Sequence, residues 1–492
     1  MPELVEHLCQ FEQCAKSILG YNAICEYCLE ARCKRHNKLK YHKCKEVRKM
    51  FGSVLDLVKQ YHPHFINELR ILRPDQTCTL SIPDSVDQLI DQTEGSGFNF
   101  HFLITFEDGV KWMLRIRQNR GHRPPLAITN AVIQSEVATL NLLKGEGIPV
   151  PQAYLPLHLK SPGCSINTPV PPLDYFYYDF MRGVPNKITR GHLGPIELPD
   201  DQLRLFILQY AKVQIRLSNL KLPYRKIGCI YPSSDPEGTT TTGPIVARGS
   251  FMRPDPPYLL GPFPTNKERY LAHIDAALHY ISRGALQNLG IDEYLWHMEL
   301  RELVNASKVL GEEPEQLYIK HDDEKGDHLM VNQEGEVIGI LDWEWAYVTT
   351  KAEAFSAPYI FNRTAPYVFD VSNAMTKEEE ILMDTYRQLN RPDLAECVKN
   401  GRLYNRLLRI GQYDPAYPKS GFREVFGDNI PNDFNPPVAD VDWRVYMIKR
   451  CSNDKKLQKI MKKFDVTLEQ AEEQAKKWHE KNDRKEEEMQ KS

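Results

Sequence analysis

Three observations predict an α+β fold preceded by a small metal-binding module. Phe100, Phe102, Ile104 and Phe106 alternate with other residues, and aromatics cluster again from Tyr175 to Phe180, as strands require. From Leu203 onward, apolar residues recur at helical spacing in one segment after another. Six of the eleven cysteines fall within the first 44 residues, and the other five stand singly.

Composition narrows the function classes. A chain of 492 residues has room for two to four domains, and 41% hydrophobic with 26% charged residues is ordinary for a globular protein. A net charge of −3 gives no global field favouring nucleic acid or an anionic membrane. No uninterrupted apolar run approaches the ~18 residues a membrane span needs. The start, MPELVEHLCQ, has no apolar signal core, so a cytoplasmic or nuclear protein is expected, with cysteines used for metal or left as free thiols.

Residues 1–50 read as the metal module. Cys9, Cys14, Cys25, Cys28, Cys33, His36, His42 and Cys44 offer eight ligands, enough for two tetrahedral zinc ions. So short a segment cannot bury enough apolar surface alone, and metal would supply its folding energy. Four protein ligands per ion leave no open position, so the zinc would be structural. The basic second half, from Arg32 to Lys49, lacks the aromatic interleaving that stacks on bases and reads as a solvated face. The spacing resembles the AN-one type zinc finger throughout. That resemblance implies a protein partner, often around ubiquitin and proteasome function. A crossed arrangement would put Cys9, Cys14, Cys33 and His36 on one ion and Cys25, Cys28, His42 and Cys44 on the other.

Residues 51–90 read as a helical connector, with Ile66, Leu69 and Leu72 at helical spacing. Residues 91–183 form the next unit. A glycine turn with Gly95 and Gly97 leads into the Phe100–Phe106 strand, Asp108-Gly109 signals a hairpin, and the return strand carries Arg115. A helix from Ala131 to Leu143 carries Glu136. Residues 184–452 are mainly helical, with helices expected at Leu203–Leu217, Leu271–Leu289, Tyr294–Leu310, Ala352–Ala357, Lys377–Leu389 and Leu394–Arg409. Residues 453–492 form a charged tail. There Thr467-x-x-Gln470 is a capping box, and Leu468, Ala471, Ala475 and Trp478 share one face.

The chemistry concentrates in Leu317–Ala346, LYIKHDDEKGDHLMVNQEGEVIGILDWEWA. Leu329–Val331 and Val337–Leu341 read as strands around a polar turn containing Gly335. Such a hairpin returns Asp342 toward Asp323. One carboxylate could then orient and deprotonate a hydroxyl while the other holds a divalent cation on a nucleotide phosphate. The stretch resembles the phosphotransferase family of aminoglycoside and choline kinases, distant relatives of protein kinases, and looks most like its divergent fungal branch. The resemblance implies a two-lobed protein-kinase-like fold, with 91–183 as the small lobe and 184–452 as the large one. His321 takes the place of the catalytic-loop histidine, Asp323 that of the catalytic aspartate and Asp342 that of the metal-binding aspartate. His328 stands where the family has an asparagine that helps hold the metal, and imidazole is a poorer partner for magnesium than an amide oxygen. Arg115 matches the basic residue that grips nucleotide phosphates, Glu136 its glutamate partner, and Gly95 and Gly97 the phosphate-approaching turn. Lys325 is placed to stabilise charge on the transferring group.

The resulting expectation is a phosphotransferase using ATP or GTP with magnesium or manganese, acting on the hydroxyl of an unidentified small molecule, with the zinc finger binding a protein. The alternative is a catalytically degenerate kinase-like scaffold whose zinc finger binds proteins of the ubiquitin/proteasome system. No P-loop, Gly-x-Ser-x-Gly or His-Glu-x-x-His pattern is present, which removes several rival chemistries.

Overall fold

The computed structural model describes residues 7–8, 17–18, 44–93, 99–118, 124–160, 169–186, 198–233, 239–246, 256–284, 290–324, 326–362, 372–408, 410, 419–427, 430–431 and 433–491. The chain divides into two compact units, one of residues 1–120 with 151–180 and one of residues 121–150 with 181–492.

The first unit is built on a five-stranded antiparallel sheet. Its order is Cys78–Leu80, Asn99–Phe106, Lys111–Arg117, Tyr175–Asp179 and Ala153–Tyr154. The alternation seen in the sequence sets the register, with Phe102 opposite Leu114 and Leu114 opposite Tyr177. Helices Lys45–Gln60 and His62–Leu72 lay an apolar stripe against it. Phe51 meets Phe100 edge to face at 4.8 Å, and Phe65 meets Tyr175 at 5.2 Å. The buried carboxylate of Glu68 accepts from Tyr175 Oη at 2.9 Å, Tyr177 Oη at 2.6 Å and the Leu157 amide at 2.7 Å. Aromatic residues with hydroxyls can thus sit in the core because a helix brings them an acceptor. The strand Cys78–Leu80 lies in the stretch read as a helical connector. Seven of the eight expected zinc ligands, Cys9, Cys14, Cys25, Cys28, Cys33, His36 and His42, lie outside the described residues, as do Gly95 and Gly97. Cys44 is described: it is buried and stands at the N-cap position of the Lys45–Gln60 helix, without a side-chain capping bond.

The second unit contains the predicted hairpin, Leu329–Val331 with Val337–Ile340, extended by a third strand, Val184–Pro185. A second ladder pairs Tyr318–Lys320 with Tyr347–Thr349. Helices Asp200–Ser218, Asn266–Arg283, Ile291–Ala306 and Lys377–Gln388 appear close to their predicted spans. The stretch expected to be one helix from Leu394 to Arg409 is instead two, Pro392–Lys399 and Arg402–Leu407. The break falls at Gly401, where a Cβ would lie 2.7 Å from both the Cys397 carbonyl and the Ser356 side chain, so the backbone approaches too closely for a side chain. The tail helix Leu468–Lys491 starts with the predicted capping box: Gln470 N donates to Thr467 Oγ1 and Thr467 N to Gln470 Oε1. Its Ala471 and Ala475 are buried, while Trp478 remains 43% exposed. Among the described helices, Leu126–Gly145 is long and apolar enough to cross a membrane, and 56% of its most apolar window is buried inside the protein.

Candidate active site

The site grows from one loop between two strands. Tyr318–Lys320 delivers the chain to His321, and Leu329 begins the hairpin that returns it to Leu341. Two contacts lace the loop to the returning chain. His321 Nε2 lies 2.8 Å from the Leu341 carbonyl and donates to it, and the Leu341 amide donates to the His328 carbonyl at 2.8 Å. With Nε2 donating, Nδ1 is the acceptor for the Asp323 amide at 3.4 Å. Asp323 stands two residues beyond one lacing point and Asp342 one residue beyond the other. The histidine therefore acts as a strut, with its ring packed edge to face on Trp343 at 4.7 Å.

Asp322 and Asp342 both adopt left-handed backbone, with φ of 68° and 64°. Aspartate tolerates this region better than most residues, and the strained angles fix how the loop turns on each side. His328 is buried against His321, with ring centroids 4.4 Å apart. The Gly326 amide donates to His328 Nδ1 at 3.3 Å, so a neutral ring carries its proton on Nε2.

Beneath the loop lies a buried charged cluster. Arg269, on the Asn266–Arg283 helix, donates to both oxygens of Glu353 at 2.7 and 2.9 Å, and its guanidinium stacks over Tyr347 at 4.3 Å. Tyr270, Tyr347 and Thr349 add hydroxyl donors to the same carboxylate. Burial alone would raise the Glu353 carboxyl, but Arg269 and these hydrogen bonds outweigh it and hold it at about 2. Lys320 donates to the Glu353 carbonyl at 3.2 Å, and Tyr347 Oη also lies 3.4 Å from Asp322 Oδ1. Burial pushes the Asp322 carboxyl up to about 7, opposed by Lys320 and Arg269 and reinforced by Glu353 and Asp323. Glu324, next to Asp323, is buried as well and accepts from Tyr210 and Gln214.

No protein-family model and no curated protein sequence matches the chain. Its structure is similar to an ethanolamine kinase of Plasmodium vivax, at 12% identity and a TM-score of 0.40 over 83% of this chain and 89% of that one. It is similar to an aminoglycoside phosphotransferase in ternary complex with ADP and hygromycin B, at 13% identity and a TM-score of 0.35 over 74% of this chain and 91% of that one. A macrolide 2'-phosphotransferase of Brachybacterium faecium gives 12% identity and a TM-score of 0.33 over 78% and 99%.

The other predicted residues are distributed over both units. Arg115 sits in the first unit, buried on the Lys111–Arg117 strand with its guanidinium 5.2 Å over the Phe176 ring. Glu136 sits in the second unit, buried on the Leu126–Gly145 helix. Lys325 lies outside the described residues. Among the described residues, no three His, Cys, Asp or Glu side chains are grouped to hold a metal by themselves. Sequence reasoning missed Arg269, Glu353, Tyr210 and Glu324. Their partners lie 84 and 114 positions away in the chain, so no local pattern marks them.

Proposed function

We propose that this protein transfers the terminal phosphoryl group of a nucleotide to the hydroxyl of a small molecule. The observation that carries the reading is the lacing of the His321–His328 loop to Leu341, which anchors the segments bearing Asp323 and Asp342 to each other. Asp323 would accept the hydroxyl proton as the acceptor oxygen attacks the terminal phosphorus, whose bond to the bridging oxygen breaks and releases the nucleoside diphosphate. Asp342 would hold magnesium or manganese on the nucleotide phosphates. A single hard carboxylate fits that role, because magnesium keeps most of its waters and takes further ligands from phosphate. Bound there, the metal would supply neutralisation of phosphate charge. The roles the family resemblance gives to Gly95, Gly97, Arg115, Glu136 and Lys325 belong to the same proposal, as does a protein partner held by a two-zinc finger.

Calorimetry on the zinc-loaded full chain with ATP and GTP, with and without magnesium or manganese, tests it. Metal-dependent binding that disappears in Asp342→Ala is the expected result. Asp323→Asn should keep that binding and lose turnover. Full turnover in Asp323→Asn would remove Asp323 from the mechanism.

His328 favours a second reading. With Nδ1 accepting from Gly326 and Nε2 carrying the proton, a neutral ring offers no lone pair to a metal. The kinase-like body would then be a scaffold, and the zinc finger its working surface for a protein of the ubiquitin/proteasome system. Absence of nucleotide binding under every metal condition, together with chelator-sensitive capture of ubiquitin by the full chain, would select this reading.

A further inference from the structure

Glu324 follows Asp323 directly and has no part in the chemistry above. It is 5% exposed, and burying a carboxylate is costly unless donors meet it. Two do. Tyr210 Oη donates to Glu324 Oε1 at 2.7 Å and Gln214 Nε2 to the same oxygen at 3.0 Å, from consecutive turns of the Asp200–Ser218 helix. The Glu324 carbonyl also accepts from the Ile360 amide at 3.2 Å. Burial, and then the Glu324 charge, keeps the Tyr210 hydroxyl well above its ordinary pKa, so it remains a donor.

A small cavity borders this side of the loop. A cavity of about 10 Å³ is bounded by Lys320, Asp322, Glu324, Ser356, Tyr404 and Asn405, among others, with room for about one water. Among the described residues, the Asn405 amide oxygen is buried without a hydrogen-bond partner. An apolar residue at position 324 could slide toward such a space, whereas hydrogen bonds to one oxygen set a direction.

We propose that Glu324 is a positioning residue for Asp323, clamping the catalytic loop to the Asp200–Ser218 helix through Tyr210 and Gln214. The proposal rests on the phosphotransferase reading. It implies that the loop backbone, and not the nucleotide site, is what Glu324 controls.

The test compares wild type, Glu324→Gln, Glu324→Leu and Tyr210→Phe as full-length protein. ATP hydrolysis, with water as acceptor, gives kcat and KM, and hydrogen–deuterium exchange follows the backbone of residues 318–331. A displacement of about 1 Å costs about 100-fold in rate, so Glu324→Leu should lower kcat by about 10- to 100-fold and Tyr210→Phe by about 3- to 10-fold. KM for ATP should stay within about twofold in both, because binding is not what the clamp supplies. Glu324→Gln, whose amide oxygen still accepts both bonds, should stay within about threefold of wild type. Loop exchange should quicken in Glu324→Leu and Tyr210→Phe alone. Should Glu324→Leu fail to fold, Tyr210→Phe removes a single oxygen and carries the test. Unchanged kcat and unchanged loop exchange would overturn the proposal, and so would a rise in KM at constant kcat. A wild-type chain that neither binds nor hydrolyses ATP or GTP, with magnesium or with manganese, removes the phosphotransferase reading and this role with it. That failure is recognised in the wild-type protein, before any variant is compared.

Discussion

Replacing Asp322 with asparagine should stabilise the protein at alkaline pH and change it little in acid. The folded-state carboxyl titrates at about 7, against an ordinary 3.8, chiefly because burial disfavours its charged form. A carboxyl raised on folding binds its proton more tightly in the native state. The contribution of this group to stability is therefore fully present below pH ~4, is lost as pH rises through the window from ~4 to ~7, and is absent above it. Three pH units at about 1.4 kcal/mol each give an upper bound of about 4 kcal/mol, and partial exposure of the residue brings the expected penalty to about 2 kcal/mol. Asparagine cannot ionise, so it carries no such penalty. It also accepts left-handed backbone, needed here at φ 68°. Urea unfolding of wild type and Asp322→Asn at pH 4.5 and pH 8, followed by the fluorescence of buried Trp343 and Trp345, measures the effect. A gain of about 2 kcal/mol at pH 8 that shrinks below about 1 kcal/mol at pH 4.5 is expected. An equal gain at both pH values, or a loss at pH 8, would refute the argument.

Arg269→Met leaves the Glu353 carboxylate buried without its charge partner, and should cost about 3–5 kcal/mol at neutral pH. Because Glu353 then protonates more readily, that cost should shrink as pH falls below 5, which denaturation at pH 4.5 and 7.5 would show. Tyr177→Phe removes a 2.6 Å hydrogen bond to buried Glu68 and should cost about 1–3 kcal/mol, read as a lower urea midpoint. Gly183→Ala puts a Cβ 2.7 Å from the Val331 carbonyl at φ 98° and should cost about 2 kcal/mol or more, read by thermal melting.

The sequence made legible whatever is local. The hairpin under Asp342 announced itself by its two apolar runs and the polar Asn332–Glu336 turn, and Phe100–Phe106 by its period of two. The capping box at Thr467 needed only residues three apart. Cys78–Leu80 escaped because three residues at a sheet edge are too short to show a period. The need for glycine at position 401 escaped because the side chain that crowds it, Ser356, lies 45 residues earlier in the chain. Within the candidate site, the histidine and aspartates of the loop could be read directly. The cluster that supports them could not, since Arg269, Glu353 and Glu324 look like surface charges until the fold buries them together with their partners.

The Lys45–Gln60 helix begins at Cys44, the last of the expected zinc ligands, and runs on through position 50 into the core of the first unit. Anyone trimming this protein at that position would cut through the helix. The amino-terminal fragment would carry off Cys44 and Val47, and the remainder would keep Phe51 and Val54 with a raw end above them. A shortened chain that keeps the helix whole should start no later than Cys44, and an amino-terminal piece made to test the expected zinc ligands should extend at least to Gln60.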